Sequence, residues 1–140
     1  MVSFGQDGLA VRLPVKSTAV PGAPAGFVDG ARAELTKQWA RYGDQTGCEQ
    51  VPLLWVQKVS SAGFAAAAYN DDPSQANGSK CQNVGGGAQE FWAVVDGTWK
   101  PVIVTQDVPT CAQFEQYSFP SSIVGNKCSQ GGKVVAYSHA

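Results

Sequence analysis

The chain has 140 residues, which is enough for one domain with a substantial buried core. Only 15% of the residues are charged and the net charge is −1, so no basic field exists to attract nucleic acid or an anionic membrane surface. No run of about 18 apolar residues is present either, as a spanning helix would need. These properties predict no nucleic-acid partner and no membrane insertion.

Residues 1–25 are predicted to form an N-terminal extension or an edge strand. The stretch "LAVRLPVK" has a strand-like pattern, and Pro14 confines it to a sheet edge because proline donates no ladder hydrogen bond. The surrounding segment is rich in small residues and proline, in the style of the region that follows an export signal. We therefore expect a mature exported chain with Met1 added in front of it.

A single α+β domain is predicted over residues 26–140, and it begins with a helix near Gly26. Apolar side chains recur at helical spacing and form one stripe, which consists of Phe27, Ala31, Leu35, Trp39 and Tyr42. Gly43 is placed to end the helix, and Lys37 and Arg41 suit the C-terminal end of its dipole. A helix with one apolar stripe needs a sheet to lie on.

Two strand-like runs follow, "VPLLWVQKVS" (51–60) and "GFAAAAYN" (63–70), and the Ser-Ser-Ala-Gly stretch at their junction predicts a hairpin. Trp55 of the first run is expected in the core. The next stretch, 71–87, has no apolar period, and a loop of this length is either functional or flexible. We regard it as a candidate binding loop, whose candidate residues are Asp71, Asp72, Asn77 and Lys80.

The stretch "EFWAVVDGTWKPVIV" predicts a hairpin with a two-residue type I′ turn at Asp96 and Gly97. In this register Trp92 pairs with Pro101. One face then carries Trp92, Val94, Trp99, Pro101 and Ile103, and the other carries Phe91, Ala93, Val95, Lys100 and Val102. We favour packing of Trp92 and Trp99 against the helix over the alternative, an exposed aromatic platform for sugars.

The C-terminal part is predicted to contain a short helix, a loop and a last strand. Thr110 is placed to cap a helix that carries Phe114 and Tyr117. Residues 119–132 are predicted to be loop, and 133–140 to add the strand. This order of elements is typical of an α+β fold in which one long N-terminal helix packs on a curved antiparallel sheet, as in cystatin-like or nuclear-transport-factor-like folds.

The chain has four cysteines, Cys48, Cys81, Cys111 and Cys128, and they lack the close spacing of zinc ligands. Their even number in a weakly charged chain predicts two disulfides formed in an oxidising compartment. Three pairings are possible, and sequence neighbours favour Cys48–Cys81 and Cys111–Cys128. We predict no metal and no cofactor.

No catalytic residue is predicted. The single histidine, His139, lies one residue from the C-terminus, where we expect it to be mobile and unable to serve as a positioned base. Asp71 and Asp72 precede a proline, as in a turn. The other carboxylate candidates are Asp107, Glu115 and Glu90. Nothing local brings two of these carboxyls to one cleft, as glycoside hydrolysis requires.

The stretch "FWAVVDGTWKPVIVTQDVPTCAQFEQYSFPSSIVGNKC" (91–128) resembles small secreted or lipoprotein-type domains of actinobacteria that have no assigned function. The shared features are an aromatic–VDG–W hairpin, a Thr-Gln after it, and then a cysteine, a short helix, a proline and a closing cysteine. The resemblance covers roughly residues 27–128, and it implies the pairings Cys48–Cys81 and Cys111–Cys128.

The chain is also similar, more weakly, to the bacterial subtilisin-inhibitor family, which has a VDG-x-W hairpin and two disulfides in a small secreted α+β domain. The cysteine spacing differs from that of the family, and no segment matches its reactive-site loop.

These features predict an exported, disulfide-stabilised, non-catalytic binding module whose partner is another extracellular or envelope protein. The alternative is an inhibitor of a secreted hydrolase that presents segment 71–87 or 111–128 to a protease. A third hypothesis is a small enzyme with a cavity lined by Tyr69, Tyr117 or Asp107.

Overall fold

The fold is an antiparallel sheet with a long helix on one face, in a computed structural model that describes residues 1–40, 52–71 and 87–140. The strands are β1 (Val2–Ser3), β2 (Leu9–Arg12), β3 (Pro52–Ser60), β4 (Phe64–Asp71), β5 (Ala88–Val95), β6 (Thr98–Thr105), β7 (Lys127–Gln130) and β8 (Lys133–Ala136). The helices are α1 (Ala25–Ala40), α2 (Cys111–Gln116) and α3 (Ser121–Val124). The α+β class is confirmed.

Strands β3 to β6 lie side by side in chain order, and hairpins join β3 to β4 and β5 to β6. Both β1 and β2 pair with β3, so the N-terminal segment supplies edge strands. Strand β2 ends at Arg12, because Pro14 has no backbone N–H and cannot donate a hydrogen bond to the neighbouring strand. Residues 1–25 also contribute buried side chains, which are Val11, Val15 and Val20.

The β5–β6 hairpin has the predicted turn, because Asp96 and Gly97 both have positive φ angles, of 53° and 77°. Trp92 pairs with Pro101, also as predicted. The predicted faces are wrong in one respect: the register shifts after this pair, and Ile103 lies opposite Phe91. The extra residue of this β-bulge reverses the alternation of β6, so Ile103 packs on the face away from α1.

Helix α1 covers the other face of the sheet, where Trp92 is fully buried and Trp99 is 9% exposed. The ring of Phe27 meets both indoles edge-on, with centroids 5.2 Å and 5.4 Å away. The helix approaches closely because Gly30 faces β6: a Cβ built there would lie 2.8 Å from the carbonyl oxygen of Trp99. Trp39 of the predicted stripe is only half-buried, and Arg41, Tyr42 and Gly43 lie outside the described residues. The buried residues of α1 are Phe27, Val28, Ala31, Glu34, Leu35 and Gln38.

A second layer, absent from the sequence prediction, covers part of the opposite face. Helices α2 and α3 pack there with the β7–β8 hairpin around a cluster of aromatic rings, which includes Phe91, Phe114, Phe119 and Tyr137. Residues 119–132 are therefore not a loop, because burial of Phe119 and Ile123 fixes them as α3 and β7. The last strand exists, but it pairs with β7 and not with the main sheet.

The disulfide Cys111–Cys128 ties α2 to β7 and confirms one predicted pairing. Cys48 and Cys81 lie outside the described residues. The C-terminal tail is held in place, contrary to the expectation for His139, since its backbone N–H and C=O both hydrogen-bond to Ser121. No helix in the described part of the chain is long and apolar enough to cross a membrane.

Candidate functional site

Those residues singled out from the sequence that the structure describes do not come together in one site. Trp92 and Trp99 are core residues, so the exposed aromatic platform is wrong for this pair. Asp71 ends β4, where its backbone pairs with Pro52. The remaining candidates of the 71–87 loop, which are Asp72, Asn77 and Lys80, lie outside the described residues.

A recessed surface opens instead on the sheet face opposite α1, between α3 and the β1–β2 connection. The recess encloses about 460 Å³, which is within the range of ligand sites in proteins. Its floor is Ala66 of β4, one wall is Gln6 in the β1–β2 connection, and Ile123 of α3 closes one end. A second recess of about 430 Å³ shares Gln6 and Gln57 with the first and extends to Trp55. We call the two together the β3–β4 groove.

A β-bulge in β3 determines which side chains face the groove. Val56 pairs with Ala67 and Lys58 pairs with Ala66, so Gln57 is the extra residue. If β3 had no bulge, its side chains would alternate strictly between the two faces, and Lys58 would point toward α1, as Val56 does. The bulge instead places both Gln57 and Lys58 along the groove, a use of bulges that recurs at functional sites.

Two amide side chains bridge the groove above the alanine floor. Nε2 of Gln89, on β5, donates to Oε1 of Gln57, on β3, over 3.1 Å. The strand between them is β4, and the bridge can form because Ala66 and Ala68 raise only a methyl group beneath it. Nε2 of Gln57 in turn donates to the carbonyl oxygen of Gln6, 3.1 Å away, which holds the wall against the strand.

Trp55 lies at the far end of the groove and is half-buried. Its partners on the neighbouring strands are Ala10 of β2 and Ala68 of β4. Two methyl side chains beside an indole cannot cover it. Trp55 is therefore a partly exposed ring seated on the sheet, which corrects its expected place in the core.

The groove carries two charged side chains among its described lining, Lys58 and Asp7. Nζ of Lys58 donates to the carbonyl oxygen of Ser122 over 2.9 Å, so the lysine fastens α3 to the sheet. The other polar lining groups are amides and a hydroxyl, which donate and accept hydrogen bonds without exchanging protons near neutral pH. The described lining supplies groups that can bind a ligand, and it contains no pair of carboxyls for acid–base chemistry.

Glu90 is a fully buried acid that lies under α1, away from the groove. Its carboxyl is 0% exposed, and Oε1 accepts a hydrogen bond from Nε1 of Trp92 over 3.1 Å. Oε2 has no hydrogen-bond partner in the described structure. Burial, followed by the nearby charge of Glu34, raises the pKa of Glu90 to about 8, although the Trp92 hydrogen bond and the charge of Lys37 oppose the shift.

The other residues considered for catalysis are dispersed. Glu115 is exposed on α2, across the sheet from the buried Glu90. Tyr69 packs in the core under α1, whereas Tyr117 packs in the cluster on the opposite face. Asp107 is exposed after β6. In the described part of the chain, Tyr69, Tyr117 and Asp107 therefore do not share one cavity.

No group of three or more His, Cys, Asp or Glu side chains that could hold a metal ion occurs within residues 1–40, 52–71 and 87–140. Comparison with models of known protein families gives no match. Searches of curated proteins and of solved structures likewise find nothing similar.

Sequence reasoning missed the groove, although two signals point to it. Gln57 and Lys58 are consecutive polar residues inside an otherwise apolar strand, which is the pattern that a bulge leaves when it turns two neighbours to one face. The alanine run 65–68 is the second signal. Successive side chains point to opposite faces of a strand, so four consecutive alanines leave only methyl groups on each face, which makes room for a recess.

Proposed function

We propose that the protein is an exported, non-catalytic binding module that is stabilised by disulfides. The observation that carries the proposal is the β3–β4 groove, a ligand-sized recess on a rigid sheet, lined by amides and an aromatic ring. Such a lining supplies hydrogen bonds and contact area, which are the requirements of a binding site. The reaction chemistry of an enzyme would need ionisable groups that converge on the recess.

Export is supported by the disulfide Cys111–Cys128, since such bonds persist in oxidising compartments. The proposed relationship to small secreted or lipoprotein-type actinobacterial domains points the same way. A cystatin-like or nuclear-transport-factor-like fold is also proposed, with α1 on one face of β3–β6 as its support. The layer of α2, α3 and β7–β8 would then be an addition to that plan.

The hydrolase-inhibitor alternative has less support. A protease binds its inhibitors through an exposed, extended segment, but residues 111–128 form two helices and contribute Phe114, Phe119 and Ile123 to the core. The alternative therefore depends on residues 72–86, which lie outside the described structure. We retain an extracellular or envelope component as the proposed partner.

The proposal is tested by affinity capture with a groove-filling variant. Oxidised protein is immobilised and exposed to the culture supernatant and envelope extract of the organism that encodes it. Ala68→Leu places a branched side chain between Trp55 and Gln89, whereas Ala33→Leu adds the same group on the exposed side of α1. We expect Ala33→Leu to retain the partner and Ala68→Leu to lose it. A partner retained equally by both variants would refute the groove as the binding surface, and recovery of a protease would favour the inhibitor alternative.

A further inference from the structure

We infer that the β3–β4 groove binds a neutral glycan chain. In this inference a sugar ring stacks on Trp55, and the side-chain amides of Gln57 and Gln89 form hydrogen bonds with the sugar hydroxyls. This inference rests on the proposed binding function and names its ligand class. It follows from the chemistry of three neighbouring features: a partly exposed indole, a pair of hydrogen-bonded amides and a floor of alanine methyl groups.

The half-buried indole of Trp55 provides a flat apolar surface that is partly exposed to solvent. Trp55 is flanked by alanine on both neighbouring strands, so its ring is accessible from the groove. A β-linked hexose presents a flat face of C–H groups, and such a face is complementary to the electron-rich face of an aromatic ring. Because Trp55 is fixed on a central β-strand, stacking requires little ordering of the protein.

The amide pair supplies hydrogen bonds of the type that hydroxyl groups need. Each glutamine amide has two N–H donors and a carbonyl acceptor, and a hydroxyl group both donates and accepts. Within the described structure, the bonds from Gln89 to Gln57 and from Gln57 to Gln6 occupy one N–H of each amide. The carbonyl oxygen of Gln89 and the second N–H of each amide are left for a ligand, and both residues are half-buried.

Other ligand classes fit the groove less well. Extended peptides commonly bind by adding a strand to a sheet edge, but the floor here is β4, which is paired on both sides by β3 and β5. Nucleic acids need a positively charged path, and the only cation of the described lining, Lys58, is bonded to a carbonyl oxygen. A ligand with many hydroxyl groups and no charge is the class that best matches a lining of side-chain amides and an aromatic ring.

The direct experiment is a calorimetric titration of the oxidised protein with soluble hexasaccharides. The probes are β-1,4-linked glucose, mannose and N-acetylglucosamine oligomers, with an α-1,4-linked glucose oligomer for comparison. We expect saturable binding to at least one β-linked oligomer. Trp55→Ala and Ala68→Leu should each weaken it by about tenfold or more, which corresponds to about 1.4 kcal/mol.

Two matched variants control for general effects. Trp39→Ala removes a half-buried tryptophan from α1, and Ala33→Leu enlarges an exposed alanine of the same helix. Both should bind like the parent protein, and circular dichroism should show every variant to be folded. Equal glycan binding by all four variants, or no binding to any oligomer, would overturn the inference.

The capture experiment separates this failure from that of the proposed function. If no oligosaccharide binds but a protein partner is captured in an Ala68→Leu-sensitive manner, the glycan inference is wrong and the binding module stands. If nothing binds in either experiment, both are wrong.

Discussion

Replacement of Glu90 by glutamine should make the protein more stable at neutral pH and remove most of its sensitivity to alkali. The carboxyl of Glu90 is 0% exposed under α1, and burial together with the charge of Glu34 raises its pKa from 4.5 to about 8. The folded state therefore favours the neutral carboxyl. Glutamine has nearly the same shape, is always neutral, and retains a carbonyl oxygen that can accept from Trp92.

The sign and size of the effect follow from proton linkage. Below pH 4.5 the carboxyl of Glu90 is protonated in both the folded and the unfolded chain, so burying it has no proton-linked cost and the free energy of unfolding is at its full value. As the pH rises toward 8, the unfolded chain has released the proton and the folded chain has not. Each pH unit in this window lowers the free energy of unfolding by about 1.4 kcal/mol, which amounts to about 3 kcal/mol at pH 7 and about 5 kcal/mol above pH 9.

The assay is urea denaturation of the parent and the Glu90→Gln variant at each pH unit from 5 to 9. The control is Glu115→Gln, which neutralises an exposed glutamate on α2. We expect the two curves to coincide near pH 5 and to separate steadily, with the variant about 3 kcal/mol more stable at pH 7. Parallel curves for the parent and Glu90→Gln, or an equal effect of Glu115→Gln, would refute the assignment of this pH dependence to the buried carboxyl.

Three further predictions concern stability and are measured by urea denaturation at pH 6. Gly30→Ala should cost about 1–3 kcal/mol, because its Cβ would press on the backbone of Trp99; an unchanged midpoint would show that α1 can shift without cost. Thr110→Ala removes a complete capping box and should cost about 1 kcal/mol, whereas a loss near zero would mean that α2 does not need its cap. Replacing Cys111 and Cys128 by serine should cost about 3 kcal/mol through the unfolded state, and full retention of stability would contradict that role.

Local patterns were sufficient to predict the elements whose identity is decided by local chemistry. The Asp96-Gly97 turn predicted the β5–β6 hairpin and its first pairs, since both residues accept positive φ. The helical stripe that starts at Phe27 predicted α1. Thr110 predicted α2 through its capping position.

Features that depend on distant contacts were not predictable in this way. Proline, glycine and serine in 119–132 are typical of a loop, but the packing of Phe119 and Ile123 against the sheet outweighs that composition. A β-bulge adds one residue to a strand and has no distinctive composition. A prediction that assumes strict alternation of side chains therefore assigns Ile103 and Lys58 to the wrong face of the sheet. The groove consequently escaped prediction, because it depends on one of these bulges.

The proposed binding surface is tested most directly by the indole N–H signals of the four tryptophans. A two-dimensional ¹H–¹⁵N NMR titration with the β-linked hexasaccharide that binds best would report on each ring separately, after assignment by single substitution. We expect the Trp55 signal to shift in a saturable manner, while the Trp92 signal, buried against Glu90, and the Trp39 signal on α1 stay in place. A stationary Trp55 signal with movement at any other tryptophan, or no movement at all, would contradict a glycan-binding groove on β3 and β4.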